Sequence, residues 1–253
     1  MKRIVLALNV LTLLTSLALA ADVDWPGWQG PNRDRKSPDK NLLKQWPEDG
    51  PKLLWKVNNV GPGFASMAVS GGTVYTSGDS KDKKKLVISA IDMEGNVKWQ
   101  AEAAPAGPAG SRSTPTIDGD SIYLLAGNGL IGCYDARNGE KKWSHAAKEY
   151  GGAPGGWAYA ESVLIYKNMA IVKPGGKNCI VALDKTNGQT IWTSSGFDAG
   201  PEYSSCIAVT FEGQPMIVTG TRQGIVGVDA ATGKLLWSND FSANNTANCP
   251  PPA

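Results

Sequence analysis

The chain is 253 residues long, 42% apolar and nearly balanced in charge, with 25 Lys and Arg against 23 Asp and Glu. That length supports one sizeable core, and the balance removes the electrostatic case for nucleic acid or an anionic membrane as partner. Four Cys with no pair two to four residues apart, and a single His, argue against a zinc site.

Met1–Ala20 reads as an export leader. Lys2 and Arg3 form the charged start, Ile4–Leu19 is mostly apolar, and Ala18-Leu19-Ala20 is a small-x-small cleavage site. A membrane anchor is the weaker alternative, because the apolar run is short and polar chain follows at once. Cleavage after Ala20 predicts a periplasmic or extracellular protein with no membrane span. Lys2 and Arg3 leave with the leader, so the mature chain is neutral. Residues 21–50 form an irregular arm in which Trp25, Trp28 and Trp46 stand among Pro, Gly and charges. Its aromatics are expected to pin it to the domain surface, a ligand-binding aromatic cluster being the alternative. Pro51–Val57 is predicted to be a strand.

From there the chain repeats. Val87–Trp99, Ile131–Trp143, Ile180–Trp192 and Ile225–Trp237 share a short apolar run, an Asp, a turn containing Gly, and a Trp. The Trp positions step by 44, 49 and 45, and Trp55 lies a further 44 residues before Trp99. A period of that size built from short strands is the signature of a β-propeller of four-stranded antiparallel blades. The predicted blades are 65–99, 113–143, 162–192 and 204–237. In the second, Ser113–Ile117, Ser121–Ala126, Leu130–Asp135 and Glu140–His145 are the strands, with turns at Asp118-Gly119-Asp120 and Gly127-Asn128-Gly129. The structural residues of the repeat are Asp92 and Trp99; Asp135, Gly139 and Trp143; Asp184, Gly188 and Trp192; Asp229, Gly233 and Trp237. Each Asp can bond forward to turn amides, the glycine supplies a positive φ, and the Trp is expected to wedge between neighbouring units. Burying one indole is worth roughly 5 kcal/mol gross, at about 200 Å² and 25 cal/mol per Å². No stretch past the leader holds a capped helical period.

The linkers 103–110 and 150–157 are rich in Gly, Ala and Pro, and blade connections of this kind tend to gather on one face, where partners bind. Lys81–Lys85 is a mixed-sign hairpin tip. Cys133 is expected to be a small buried hydrophobe. One or two disulfides among Cys133, Cys179, Cys206 and Cys249 could form after export, with pairing that sequence does not give. His145 reads as a solvated strand-end residue.

Asp184-Lys185-Thr186-Asn187-Gly188 through Trp192, and Asp229-Ala230-Ala231-Thr232-Gly233 through Trp237, resemble the pyrroloquinoline-quinone (PQQ) type repeat; Asp92–Trp99 departs, with one turn residue fewer and no Thr. The opening Asp24–Asp34 is similar to the start of exported bacterial PQQ-like propellers. The resemblance implies either a quinoprotein dehydrogenase or a non-catalytic propeller such as the one in the outer-membrane protein assembly machinery. The dehydrogenases hold PQQ under a vicinal Cys-Cys disulfide with a calcium ion, and this sequence has no adjacent Cys pair. Most Asp residues are spent on turns, and Glu161 and Glu202 lack an evident acid–base partner. The expectation is therefore a non-catalytic binding or scaffold module, with no cofactor, no metal and no catalytic residues. The alternative is a PQQ-dependent oxidoreductase or its inactive remnant. Arg112, Trp157, Tyr159, Glu161, Tyr203 and Arg222, in or beside the inter-strand connections, are the candidate binding face for a protein or small-molecule partner.

Family propellers of seven or eight blades need more chain than four repeats supply. The tail Asn248–Ala253 resembles the opening of a fifth repeat, and the strand around Trp55 the last strand of a closing blade. A fragment, a half that pairs with a second copy through its open edges, and a small self-closing ring are the three readings, of which the fragment is preferred.

Overall fold

The computed structural model describes residues 24–107, 110–250 and 252; the leader lies outside them. The chain forms four sheets, each of four antiparallel strands in sequence order. Blade I is β1 (Ala68–Ser70), β2 (Thr73–Asp79), β3 (Lys85–Asp92) and β4 (Val97–Pro105). Blade II is β5 (Thr116–Asp118), β6 (Ser121–Leu125), β7 (Leu130–Asp135) and β8 (Lys141–Ala146), followed by a 3-10 turn at Ala147–Tyr150. Blade III is β9 (Leu164–Tyr166), β10 (Met169–Val172), β11 (Val181–Asp184) and β12 (Thr190–Thr193). Blade IV is β13 (Ile207–Phe211), β14 (Gln214–Thr221), β15 (Gly224–Asp229) and β16 (Leu235–Asn239). It is an open, partial propeller.

The sequence alternation explains the stacking. Successive side chains on a strand point to opposite faces, so Ile122 and Leu124 of β6 pack against blade I, whereas Tyr123 and Leu125 pack against blade III. Three hydrophobic clusters result, one at each junction between successive blades. Every blade also carries a register shift between its third and fourth strands, just after the residue paired with the Trp: at Ala90/Ile91, Cys133/Tyr134, Ala182/Leu183 and Gly227/Val228. Such a bulge re-aims the strand end locally.

The Trp joins blades through one geometry. Trp143 Nε1 donates to the carbonyl of Lys185 at 3.1 Å, and Trp192 Nε1 to that of Ala230 at 3.3 Å; each acceptor follows the turn Asp of the next blade. The ring lies flat on that turn's glycine. A Cβ on Gly188 would sit 2.9 Å from Trp143, and one on Gly233 2.4 Å from Trp192, at φ of +78° and +71°. Trp99 covers Gly139 in the same way. The turns are built by their Asp: Asp184 Oδ1 accepts from the amides of Thr186 (2.8 Å) and Asn187 (3.3 Å), and Asp229 Oδ1 from those of Ala231 (3.1 Å) and Thr232 (2.8 Å). Among the described residues, Trp237 covers no turn glycine of a following blade. It lies over Gly227 of its own sheet, donates to Met216 Sδ at 3.2 Å, and is 39% exposed.

Three expectations need correction. Pro51–Val57 is not a strand, since it pairs with no strand among the described residues; Trp55 is nonetheless seated on Gly95 and donates to the Met93 carbonyl at 2.7 Å. Trp46 is 65% exposed, so it does not pin the arm. The arm is instead tied along the innermost strands. Trp25 exchanges two backbone hydrogen bonds of 2.8 Å with Val69 of β1, and Pro26 accepts from Ile117 of β5 at 2.7 Å. The Arg33 guanidinium then donates to the carbonyls of Ser162 (3.1 Å), Val163 and Cys206 (2.8 Å). Burial there lowers its pKa to about 10. Lastly, all four thiols are free; Cys133, Cys179 and Cys206 are buried and Cys249 is exposed.

Candidate functional site

Where the chain enters each innermost strand, a hydroxyl joins it to the blade before. The Ser66 amide donates to Thr114 Oγ1 at 3.1 Å, the Thr114 amide to Ser162 Oγ at 3.0 Å, and the Ser162 amide to Ser205 Oγ at 2.9 Å. These four residues are therefore equivalent positions of four repeats. Two residues ahead of each stand Phe64, Arg112, Ala160 and Tyr203. With Trp157, Ala247 and Cys249 they line one cleft of about 480 Å³.

The cleft is aromatic and cationic. The Arg112 guanidinium lies 4.6 Å from the centroid of the Phe64 ring. Its Nε is buried and has no hydrogen-bond partner among the described residues. Trp157 and Tyr203 meet edge to face at 5.7 Å, and the Trp157 amide donates to the Tyr203 hydroxyl at 3.2 Å. Trp157 is half-exposed. A delocalised cation held against rings, beside an unsatisfied N–H, suits a planar or acidic group better than a reacting one. Among the described residues no general acid–base pair faces the cleft, and no three His, Cys, Asp or Glu gather in a metal-holding group.

Of the residues proposed from sequence, Arg112, Trp157 and Tyr203 come together here. Arg222 stands apart, paired with Glu202 at 2.8 Å. Tyr159 and Glu161 are buried, at 1% and 2% exposure, and do not belong to a surface. Tyr159 donates its hydroxyl to the Pro174 carbonyl at 2.8 Å. Glu161 Oε1 accepts from the Lys173 amide, while Oε2 has no partner among the described residues. Burial raises the Glu161 pKa to about 7, against the pull of the Lys173 charge. The buried Lys173 ammonium is itself satisfied by Ser204 O (2.7 Å), Gly220 O (2.6 Å) and Thr219 Oγ1 (3.2 Å). Sequence reasoning passed over Phe64, Ala160, Ala247 and Cys249. The signal that finds the first two is the hydroxyl residue at a constant offset before each strand.

Four-stranded sheets stacked through an Asp–Gly turn and a following indole define a PQQ-like β-propeller repeat protein. The family model described as "Outer membrane protein assembly factor BamB" matches residues 38–157 and 176–251, and the chain belongs to that family. It is 24% identical over 238 residues to the outer membrane protein assembly factor BamB of Yersinia pestis, an alignment covering 87% of this chain and 57% of that one. It is 27% identical over 165 residues to the BamB of Bordetella pertussis, covering 62% and 40%. The chain thus spans about half the length of the curated relatives it matches. Among solved structures, the quinohemoprotein alcohol dehydrogenase ADHIIG of Pseudomonas putida HK5 superposes with a TM-score of 0.55 at 16% identity, over 87% of this chain and 48% of that one. That likeness is one of fold.

Proposed function

We propose that this chain is an exported, non-catalytic binding module that serves the assembly of outer-membrane proteins, as its relatives' names describe for them. The cleft between Phe64, Arg112, Trp157 and Tyr203 takes the partner. The observation carrying this reading is that equivalent positions of four repeats converge on one aromatic, cationic cleft without a reacting pair. Tyr, Trp and Arg are the side chains that most often anchor protein partners, and they favour an acidic or aromatic segment of that partner.

The reading is tested in a bacterium lacking its own assembly factor of this family. Expression of this chain should restore the level of folded outer-membrane protein. Arg112→Ala and Trp157→Ala chains, exported and folded to the same level, should not. Failure of the parent chain to restore that level overturns the role, and full activity of both variants overturns the cleft. A purified sample given PQQ and calcium should show no alcohol- or sugar-dependent dye reduction.

A further inference from the structure

Phe64 also belongs to a second hollow, of about 570 Å³, lined by Pro62, Phe64, Asp79, Lys83 and the glycines Gly107 and Gly110. Its walls come from the start of blade I, the end of β2 and the connection to blade II, and main chain fixes them. The Asp79 amide donates to Pro62 O at 2.8 Å and the Phe64 amide to Ser111 O at 2.6 Å. A Cβ on Gly61 would strike the Asp79 carbonyl. Within these walls Asp79 carries a charge that nothing balances. It is 7% exposed, and its Oδ1 has no hydrogen-bond partner among the described residues. The neighbouring hydroxyls are spent elsewhere: Ser77 Oγ and Ser111 Oγ bond each other at 2.7 Å, and Ser77 Oγ donates to Ser113 O at 3.0 Å. Lys83 stands in the same wall without an ion pair to Asp79 among the described residues. Burial raises the Asp79 pKa, as it does for a carboxylate short of compensation. A Cβ on Gly110 would fall 3.5 Å from Asp79 Oδ2 and 3.9 Å from Phe64 Cε2, so the glycine keeps the space between carboxylate and ring open.

We propose that this hollow binds the cationic side chain of a lysine or arginine on a partner polypeptide, its charge set against Asp79 and its stem against Phe64 and Pro62. A buried carboxylate left unpaired gains from a charged donor more than from a neutral one. The Phe64 ring, 73% exposed, adds attraction for a cation beside it. The aliphatic stem of such a guest covers apolar wall while its head meets the charge. A divalent metal ion would need several oxygen ligands, and among the described residues no three His, Cys, Asp or Glu gather to hold one. The site stands apart from the assembly role proposed above, and its test measures binding alone.

The probes are Nα-acetyl-lysine methylamide and its Nε-acetylated analogue, which lacks the charge. Each is titrated into the full chain, with the NMR shifts of the Lys83, Gly107 and Gly110 amides as the readout. The charged probe should move these amides saturably, and the acetylated one should need a concentration about tenfold higher, the factor for one charge-assisted contact. Asp79→Asn should bring the two probes together. Equal half-saturation by both probes on the parent overturns the proposal, as does a folded Asp79→Asn chain that still prefers the charged probe tenfold. Calcium ions that move the same amides at a lower concentration than the lysine probe overturn it in favour of a metal site. Should Asp79→Asn fail to fold by circular dichroism, the comparison of the two probes on the parent decides.

Discussion

At the rim of the blade stack, neighbours meet through an indole laid on a glycine turn; at the inner edge they meet through a hydroxyl that accepts the neighbour's backbone amide. The rim joint buries a large apolar ring, as at Trp143 and Trp192, which are 9% and 7% exposed. The inner joint buries almost nothing but satisfies an amide that water cannot reach, as at Thr114 and Ser162. The difference teaches a division of labour. Area burial supplies energy without much direction, while hydrogen bonds to backbone fix which residue faces which.

The comparison is broken most strongly at the rim. Trp143→Ala or Trp192→Ala should lower stability by ~3–5 kcal/mol in urea denaturation; a loss below ~1 kcal/mol would mean the indoles do not hold the blades. Next is Gly188→Val. It places a Cβ against Trp143 at a φ of +78°, and strain with overpacking should cost ~2–4 kcal/mol. An unchanged urea midpoint would remove the turn from the account. At the inner edge, Ser162→Ala strands the Thr114 amide and should cost ~1–3 kcal/mol, since a buried unmet donor bears its full desolvation penalty. Thermal melts of Ser162→Ala beside Ser162→Thr check this, the threonine retaining the acceptor. Trp237→Ala sharpens the contrast from the other side. Among the described residues it covers only Gly227 of its own sheet, so its loss should change stability by less than ~1 kcal/mol, and a cost equal to that of Trp192→Ala would contradict the description of blade IV.

A pH-dependent effect belongs to Glu161. Its folded pKa of about 7 lies above the ordinary 4.5, so the native state keeps a proton that the unfolded chain releases between those values. Stability from this group is therefore full below about 4.5 and declines as pH rises through 7. Glu161→Gln should flatten the slope of unfolding free energy between pH 5 and 7, and a slope identical to the parent's would assign it to other groups.

Much of the rim was legible in the sequence. Its chemistry uses residues with few other roles: Asp before a turn, Gly inside it, Trp after it. The inner edge was not, because Ser66, Thr114, Ser162 and Ser205 are common residues whose meaning lies in an offset rather than a type. The same blindness hid Arg33, an arm charge whose acceptors are backbone carbonyls with no side-chain signature. It also made Pro51–Val57 read as a strand, since Lys52–Trp55 repeats the tetrapeptide Lys234–Trp237 that leads into β16; a strand requires a paired neighbour, which only the second copy has. At the cleft, Trp157 and Tyr203 were visible as aromatics in or beside the inter-strand connections. Tyr159 and Glu161 stand at the same connection, but each turns inward to a buried backbone partner, the Pro174 carbonyl and the Lys173 amide.

The seat of Arg33 has a consequence for the order of events during synthesis. Its carbonyl acceptors lie as far along the chain as Cys206, 173 residues downstream. Trp25 and Pro26 can be fastened once Val69 and Ile117 have emerged, whereas the full Arg33 seat has to wait for Cys206. Contacts so distant slow folding because a long loop must close before they repay it. The Arg33 guanidinium thus acts as a late clasp across blades III and IV, and a chain halted short of Cys206 would leave that one charge incompletely satisfied while the rest of the arm is already tied.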